Sequence, residues 1–391
     1  MIYCLQKWGE KSGVVAAVRY YMMVEPTFAG THWCNQCIQG IRKEVSRNKG
    51  TLVEVPVGDQ AALERVLTQA RPLLILVGSL VNWMTETVQR LSHTGIHCIM
   101  MTAPPPDGSI SVSTISMDYN QGICDLFRYL TQMNRGRVAL FGIHPNSIND
   151  LTKQQTYCEY VFRHGGNAEG IFHNDGDLRE ACDRFYRRIR EFDAVICSND
   201  IIAIQLQDYL KRHNIRIPEE MYLVSIGETR LSQLVHPRIT TASLNFTDIG
   251  HNAVRLYNIL RKNETITGLH AKVRGTIEAW ESTGNVPYEK EPPRMTLPAM
   301  PGQSGFYTDE NVRRIFMLEN LISHCLPIDF AILRGVMDGT PYHRIAEECY
   351  TSENAIKYRL RRMVELSQCE TKEEMIQLVQ ERLNIDDLPK E

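Results

Sequence analysis

The feature that most constrains this chain is an alternation of short, almost continuously apolar runs with longer stretches of helical periodicity. Runs at residues 14–20, 52–57, 73–77 and 97–101 form a first series, and runs at 137–142, 194–197 and 221–226 a second. Helical stretches lie between them at 33–48, 61–70, 81–94, 121–134, 178–191 and 201–214. A strand that is apolar at every position is covered on both faces, and intervening helices supply that cover, which is the signature of a parallel sheet. Two series predict α/β architecture with two doubly wound parallel-sheet lobes. Ligands in such folds sit at the carboxyl ends of the strands.

The pattern breaks once. Residues 281–305 gather Gly284, Pro287, Pro292, Pro293, Pro298, Pro301, Gly302 and Gly305. Proline lacks the N–H that ladders and helix interiors need, and glycine is costly to order, so this stretch reads as a linker. The expected organisation is a ligand-sensing domain over 1–282, a linker over 283–306 and an all-helical domain over 307–391. In the last, Thr308 is the expected cap of a helix running to about Cys325. Its stripe of Ile315, Leu318, Ile322 and Cys325 packs either within the domain or against a second subunit.

A helix-turn-helix pattern follows. Residues 328–338 make an amphipathic helix with Phe330, Ile332, Leu333 and Val336, and Gly339 suits the left-handed position after it. Thr340 is the expected cap of the next helix, with Pro341 at its first position and Ile345 and Ala346 inside. Ser352 caps a third helix whose inner stripe is Ile356, Leu360, Met363 and Val364. Its outer face carries Asn354, Lys357, Tyr358 and Arg361, flanked by Arg359 and Arg362. Most charged helix faces are simply solvated. Here, however, asparagine and arginine suit bidentate contacts to adenine and guanine edges, and lysine and arginine neutralise phosphates.

Composition limits the alternatives. The net charge of −3 offers no chain-wide basic surface, so any DNA contact has to be local. No apolar run reaches the roughly 20 residues needed to cross a membrane, and residues 1–10 lack the apolar core of a secretory signal. The 11 cysteines are scattered, Cys34 and Cys37 being the nearest pair, so free thiols in a cytoplasmic protein are expected. There is no GxGxxG after the first strand, no P-loop, no GxSxG and no HExxH. No catalytic residue, metal site or cofactor is therefore expected, and the chain does not read as an enzyme.

Two resemblances extend this reading. Residues 339–366, GTPYHRIAEECYTSENAIKYRLRRMVEL, resemble the LuxR-type helix-turn-helix at Gly339, Arg344-Ile345-Ala346, Ser352 and Ala355-Ile356-Lys357. Arg344 and Ala355 stand where that family usually has Glu and Thr. The resemblance implies DNA binding through Thr340, Ser352, Asn354, Lys357, Tyr358 and Arg361, by a homodimer. Residues 193–260, beginning DAVICSNDIIAIQLQDYLKRHNIRIPEE and continuing LVSIGETRLSQLVHPRITTASLNFTDIGHNAVRLYNIL, resemble the ligand-binding domain of the LacI/GalR type. That domain is related to the periplasmic binding proteins. Asp118, Gly122 and Arg274–Gly275 extend the likeness over about residues 13–282.

This second resemblance implies a cleft ligand, a sugar or sugar derivative, between lobes that the chain crosses near 103–117, 241–245 and 265–275. The ligand residues it implies are Asp118, Lys153 (where the family has Arg), Asn199, Asp200 and Glu228, with Trp33 and Trp83 as stacking platforms. The family's DNA-binding module is N-terminal. Here the C-terminal helices are expected to take its place. The function expected is a ligand-responsive transcriptional regulator whose partners are DNA and a small-molecule effector, with no membrane. The alternatives are a solute-binding or interaction protein without DNA binding, or a sugar-modifying enzyme.

Overall fold

The computed structural model describes residues 17–104, 111–227, 229–289, 309–384 and 388. The chain divides into two units, Met1–Glu291 and Pro292–Glu391. The first is built on two six-stranded sheets. In chain order its opening half holds β1 (Arg19–Val24), α1 (His32–Arg47), β2 (Thr51–Glu54), α2 (Gln60–Leu67), β3 (Leu73–Val77), α3 (Val81–Ser92), β4 (His97–Met100) and β5 (Ser113–Met117). There follow α4 (Tyr119–Gln132), β6 (Val138–Ile143), α5 (Ile148–Arg163), β7 (Ile171–His173), α6 (Leu178–Arg187), β8 (Ala194–Cys197), α7 (Asp200–Arg212), β9 (Tyr222–Gly227) and β10 (Thr240–Ser243). Last come α8 (Phe246–Lys262), β11 (His270–Val273) and β12 (Thr276–Glu278). The sheet orders are β11-β5-β4-β3-β1-β2 and β12-β10-β9-β8-β6-β7, parallel throughout except for β12, which runs antiparallel to β10.

Side-chain alternation explains why the strand runs are apolar at every position. Tyr20, Met22, Leu73, Ile75 and Val77 enter one core with α1 and α8, while Tyr21, Met23, Leu74 and Leu76 enter another with α2 and α3. The second sheet divides likewise. Leu140 and Ile196 face α4 and α5, and Phe141, Val195 and Cys197 face α6 and α7. Helices α1 and α8 meet backbone to backbone: a Cβ on Gly40 would lie 2.0 Å from the Thr247 carbonyl oxygen, and one on Gly250 would lie 2.1 Å from that of Cys37. Only glycine allows that approach.

The chain passes between sheets at Asp118, at 244–245 and at 274–275. The first passage falls just past the expected 103–117, because residues 113–117 are themselves a strand of the first sheet. Strand β1 begins at Arg19, later than the expected 14–20, of which residues 14–16 lie outside the described ones. Strands β5 and β10 escape a hydropathy reading because they are rich in serine and threonine, yet they are buried. Their hydroxyls are satisfied internally: Ser113 Oγ lies 2.9 Å from His97 Nε2 and accepts the Leu269 N–H, and Thr240 Oγ1 lies against Thr283 Oγ1.

The expected linker also begins too early. The Tyr129 hydroxyl lies 2.7 Å from Thr283 Oγ1 and donates to the Val286 carbonyl, so this stretch is docked on α4. Residues 290–306, with Thr308, lie outside the described residues.

The second unit is helical: α9 (Glu310–Ser323), α10 (Pro327–Met337), α11 (Tyr342–Glu348), α12 (Glu353–Ser367) and α13 (Lys372–Gln380). Asp309 caps α9, accepting from the N–H groups of Asn311 and Val312. Leu318 and Leu321 are the buried positions of that helix, whereas Ile315, expected in the inner stripe, is 49% exposed. The core gathers these leucines with Phe330, Ile332, Leu333, Ile345, Ile356, Leu360 and Met363. Among the described residues no helix is long and apolar enough to cross a membrane. No group of three or more His, Cys, Asp or Glu among them is placed to hold a metal ion.

Candidate ligand cavity and nucleic-acid interface

The carboxyl ends of β1, β3, β6, β8, β9 and β10 open on one cavity of about 240 Å3 between the two lobes. Phe28 and Trp33 reach it from the turn after β1 and the first turn of α1, and Ser79 and Leu80 from the end of β3. The other sheet contributes His144, Ser147, Asn149, Asp150 and Lys153 from the loop after β6 and the start of α5, with Asn199 after β8. Tyr119, Ile226, Leu244 and Phe246 complete the wall. Strand ends in a parallel sheet are where loops and helix N-termini converge, which is why residues distant in sequence meet there.

The wall is aromatic, and its charged groups are engaged with one another. The Trp33 and Phe246 rings lie 6.4 Å apart. Lys153 is 5% exposed; its Nζ donates at 2.8 Å to Asp150 Oδ1 and at 2.8 Å to the Ser198 carbonyl, and it stands 4.9 Å over the Tyr119 ring. Asp150 Oδ2 accepts the His144 backbone N–H at 3.1 Å. Burial, with Asp150 nearby, pushes the Tyr119 hydroxyl well above its usual range, so it stays protonated. Behind the wall, the buried Glu25 carboxylate accepts the N–H groups of Ser79 and Leu80 at 2.9 and 3.1 Å and the Thr27 hydroxyl. It fixes the turn that leads into α3, whose N-cap residue Leu80 has no polar side chain, while the Val81 and Asn82 N–H groups of the first turn go to Asn146.

Of the residues expected to bind ligand, the structure brings together Trp33, Lys153 and Asn199. Asp118 instead caps α4 through the Gln121 N–H and lies 3.5 Å from Lys272, outside the wall. Asp200 is fully buried. It accepts from the Ser225 hydroxyl, the Thr229 N–H and the Thr241 hydroxyl, so it ties α7 to the ends of β9 and β10 rather than facing the cavity. Trp83 packs on the apolar core beneath α2 and α3. Its Nε1 is buried without a partner among the described residues. Glu228 lies outside the described residues. The lining residues that residue type did not single out share a signal of position: most stand within a few residues of the end of a parallel strand.

Five hydrogen bonds cross between lobes beside the cavity. Val81 N–H donates to the Asn146 carbonyl at 3.1 Å, and Ile148 N–H to that of Ser79 at 3.0 Å. Asn82 N–H donates to Asn146 Oδ1 at 3.2 Å. Asn149 Oδ1 accepts from Thr102 Oγ1 at 2.9 Å and Ala103 N–H at 3.1 Å. Asn149 thus touches both the cavity and the opposite lobe.

In the helical unit, α11 and α12 are joined by a turn in which Tyr350 has φ +50°. Buried Ile345 and Ala346 on α11 and Ile356 and Leu360 on α12 belong to one core. Ser352 caps α12, accepting the Ala355 N–H at 3.3 Å. Thr340 does not cap α11. Pro341 occupies the cap position, with no side-chain bond, and its carbonyl takes the Arg344 and Ile345 N–H groups, while Thr340 N–H closes α10 on the Gly335 carbonyl. Asn354, Lys357, Tyr358, Arg361 and Arg362 are exposed on α12. Arg359 alone turns inward, donating to Asp329 at 2.9 Å. Lys357, Arg361 and Arg362 have no ion-pair partner among the described residues.

Residues 127–272 match the family model of the periplasmic binding protein-like domain. Catabolite control protein A of Priestia megaterium is 21% identical over 208 residues, 52% of this chain and 62% of that relative, so the chain spans under two thirds of its length. Among solved structures, a transcriptional regulator CelR–cellobiose complex is 16% identical, covering 68% of this chain and 86% of that one at a TM-score of 0.57. The Lac repressor dimer bound to operator and the anti-inducer ONPF is 14% identical, covering 69% and 95% at 0.58. The α/β unit therefore has the two-lobed, parallel-sheet fold of the periplasmic binding protein-like domains.

Proposed function

We propose that this chain is a ligand-responsive DNA-binding transcriptional regulator. The α/β unit holds a small molecule, a sugar or sugar derivative, in the interlobe cavity. The helical unit reads DNA as a LuxR-type module, in a homodimer, with α12 in the major groove and Asn354, Lys357, Tyr358 and Arg361 toward it. The observation that carries this reading is the pairing, in one chain, of an aromatic cavity at convergent strand ends with a capped helix whose cations face solvent unpaired. The relatives support it, since they are named as regulators and one structure contains operator DNA. A ligand changes DNA binding only by favouring one of two protein states, so lobe closure is the step through which binding acts. The test is fluorescence anisotropy of the full chain on DNA from upstream of its own gene, beside the variant Lys357→Ala/Arg361→Ala. Salt-dependent, sequence-specific binding that the variant loses supports the proposal. Equal binding by the variant, or none by the parent chain, overturns it.

A further inference from the structure

Resting on the proposed sensing role of the cavity, we infer that its ligand is uncharged, and that phosphorylated, carboxylated and cationic relatives of it are refused. The charged groups of the described wall are Lys153 and Asp150, and each is already engaged. Two of the three ammonium hydrogens of Lys153 go to Asp150 Oδ1 and the Ser198 carbonyl, and its remaining face lies over the Tyr119 ring. Asp150 gives one oxygen to Lys153 and the other to the His144 N–H. His144 Nδ1 accepts the Asn146 N–H at 3.1 Å, which leaves Nε2 as the donor of the ring.

The helix N-termini at the cavity also carry caps from within the protein. Asn146 takes the Val81 and Asn82 N–H groups of α3, Thr31 caps α1, Ser147 caps α5 and Asn199 caps α7. An anion entering this space finds no unpaired lysine or arginine among the described wall residues and meets helix ends that already carry side-chain caps, and it approaches the Glu25 carboxylate behind the wall. Stripping an anion of water without a partner is strongly unfavourable. A cation finds the Asp150 charge already paired with Lys153, whose ammonium stands at the Tyr119 face.

What remains available is neutral. Asn149 Nδ2 has no partner among the described residues, and Asn199 Nδ2 has only a long bond of 3.4 Å to Ser198 Oγ. The Ser147 hydroxyl hydrogen and the His144 Nε2–H add two further donors. Beside them stand the faces of Trp33, Phe246 and Phe28. Neutral donors around aromatic faces suit a ring that carries hydroxyl or carbonyl oxygens on its edge and C–H groups on its face.

The experiment is a thermal-shift series on the full chain. Its panel holds uncharged mono- and disaccharides and nucleosides, each beside its phosphate ester or uronic acid, with choline as the cationic probe. Stabilisation grows with ligand concentration over Kd. At least one uncharged member should raise Tm while its charged partner binds at least 100-fold more weakly. Trp33→Ala should weaken that uncharged member at least tenfold. A phosphate ester, uronic acid or choline that stabilises as well as or better than the uncharged members overturns the inference and leaves the sensor reading standing. Unchanged binding by Trp33→Ala overturns the assignment to this cavity. A chain that no panel member stabilises overturns the sensing reading together with this one.

Discussion

The two units use charge in opposite ways. Around the interlobe cavity, Lys153, Asp150 and Glu25 are buried and hydrogen-bonded to protein groups. On α12, Lys357, Arg361 and Arg362 stand in solvent. A buried charge needs its partner, because desolvation costs more than one imperfect contact returns, whereas an exposed cation is stable alone and stays ready for a polyanion. The cavity therefore offers little charge-based attraction, and the helix offers it freely.

That contrast is breakable, and its largest expected consequence lies at Lys153. Lys153→Met strands Asp150 in the core and should lower unfolding free energy by about 3–5 kcal/mol in urea titrations. Adding Asp150→Asn should recover part of the loss, and a near-neutral single variant would mean that the pair is solvated. Lys357→Ala/Arg361→Ala should leave urea stability unchanged within about 0.5 kcal/mol. It should reduce the salt slope of DNA binding by about 2, and a retained slope would move the interface off α12.

Arg359→Ala sharpens the comparison inside a single helix, since its guanidinium holds Asp329. It should cost about 1.5–3 kcal/mol of stability in the helical unit, with a smaller effect on the salt slope than the double variant. The reverse ranking would make Arg359 a DNA contact.

The smallest effect at neutral pH concerns His97, in the α/β unit. Burial, aided by Arg71, lowers its pKa from 6.5 to about 4. The folded state thus binds fewer protons than the unfolded state between those values. The contribution to stability is full above pH 6.5 and is lost as pH falls toward 4. Tm should drop across that window, and less steeply in His97→Gln; parallel curves would remove His97 from the acid response.

The site was legible only in part, and the residues show why. Trp33, Lys153 and Asn199, which line the cavity, are reached through the LacI/GalR-type resemblance of the sequence. The same resemblance points to Asp200 beside Asn199, yet its carboxylate turns to Ser225, Thr229 and Thr241, a choice made by residues 25 to 41 positions away. Trp83 is likewise claimed by the apolar core. Phe28, His144, Asn149 and Phe246 are marked only by lying near strand ends, and which strand ends of two sheets meet is not written locally.

By itself the sequence determined the alternation of covered strands and helices, the two lobes and the Ser352 cap of α12. Those properties follow from local periodicity and from backbone groups that have to be satisfied nearby. The tertiary structure alone decided the buried Ser/Thr strands β5 and β10 and the docking of residues 283–289 on α4. It also decided the crossing hydrogen bonds of Asn146 and Asn149 and the internal satisfaction of every charge in the described cavity wall. Each of these depends on which distant partner fills a group's remaining hydrogen bonds, and no local pattern carries that information.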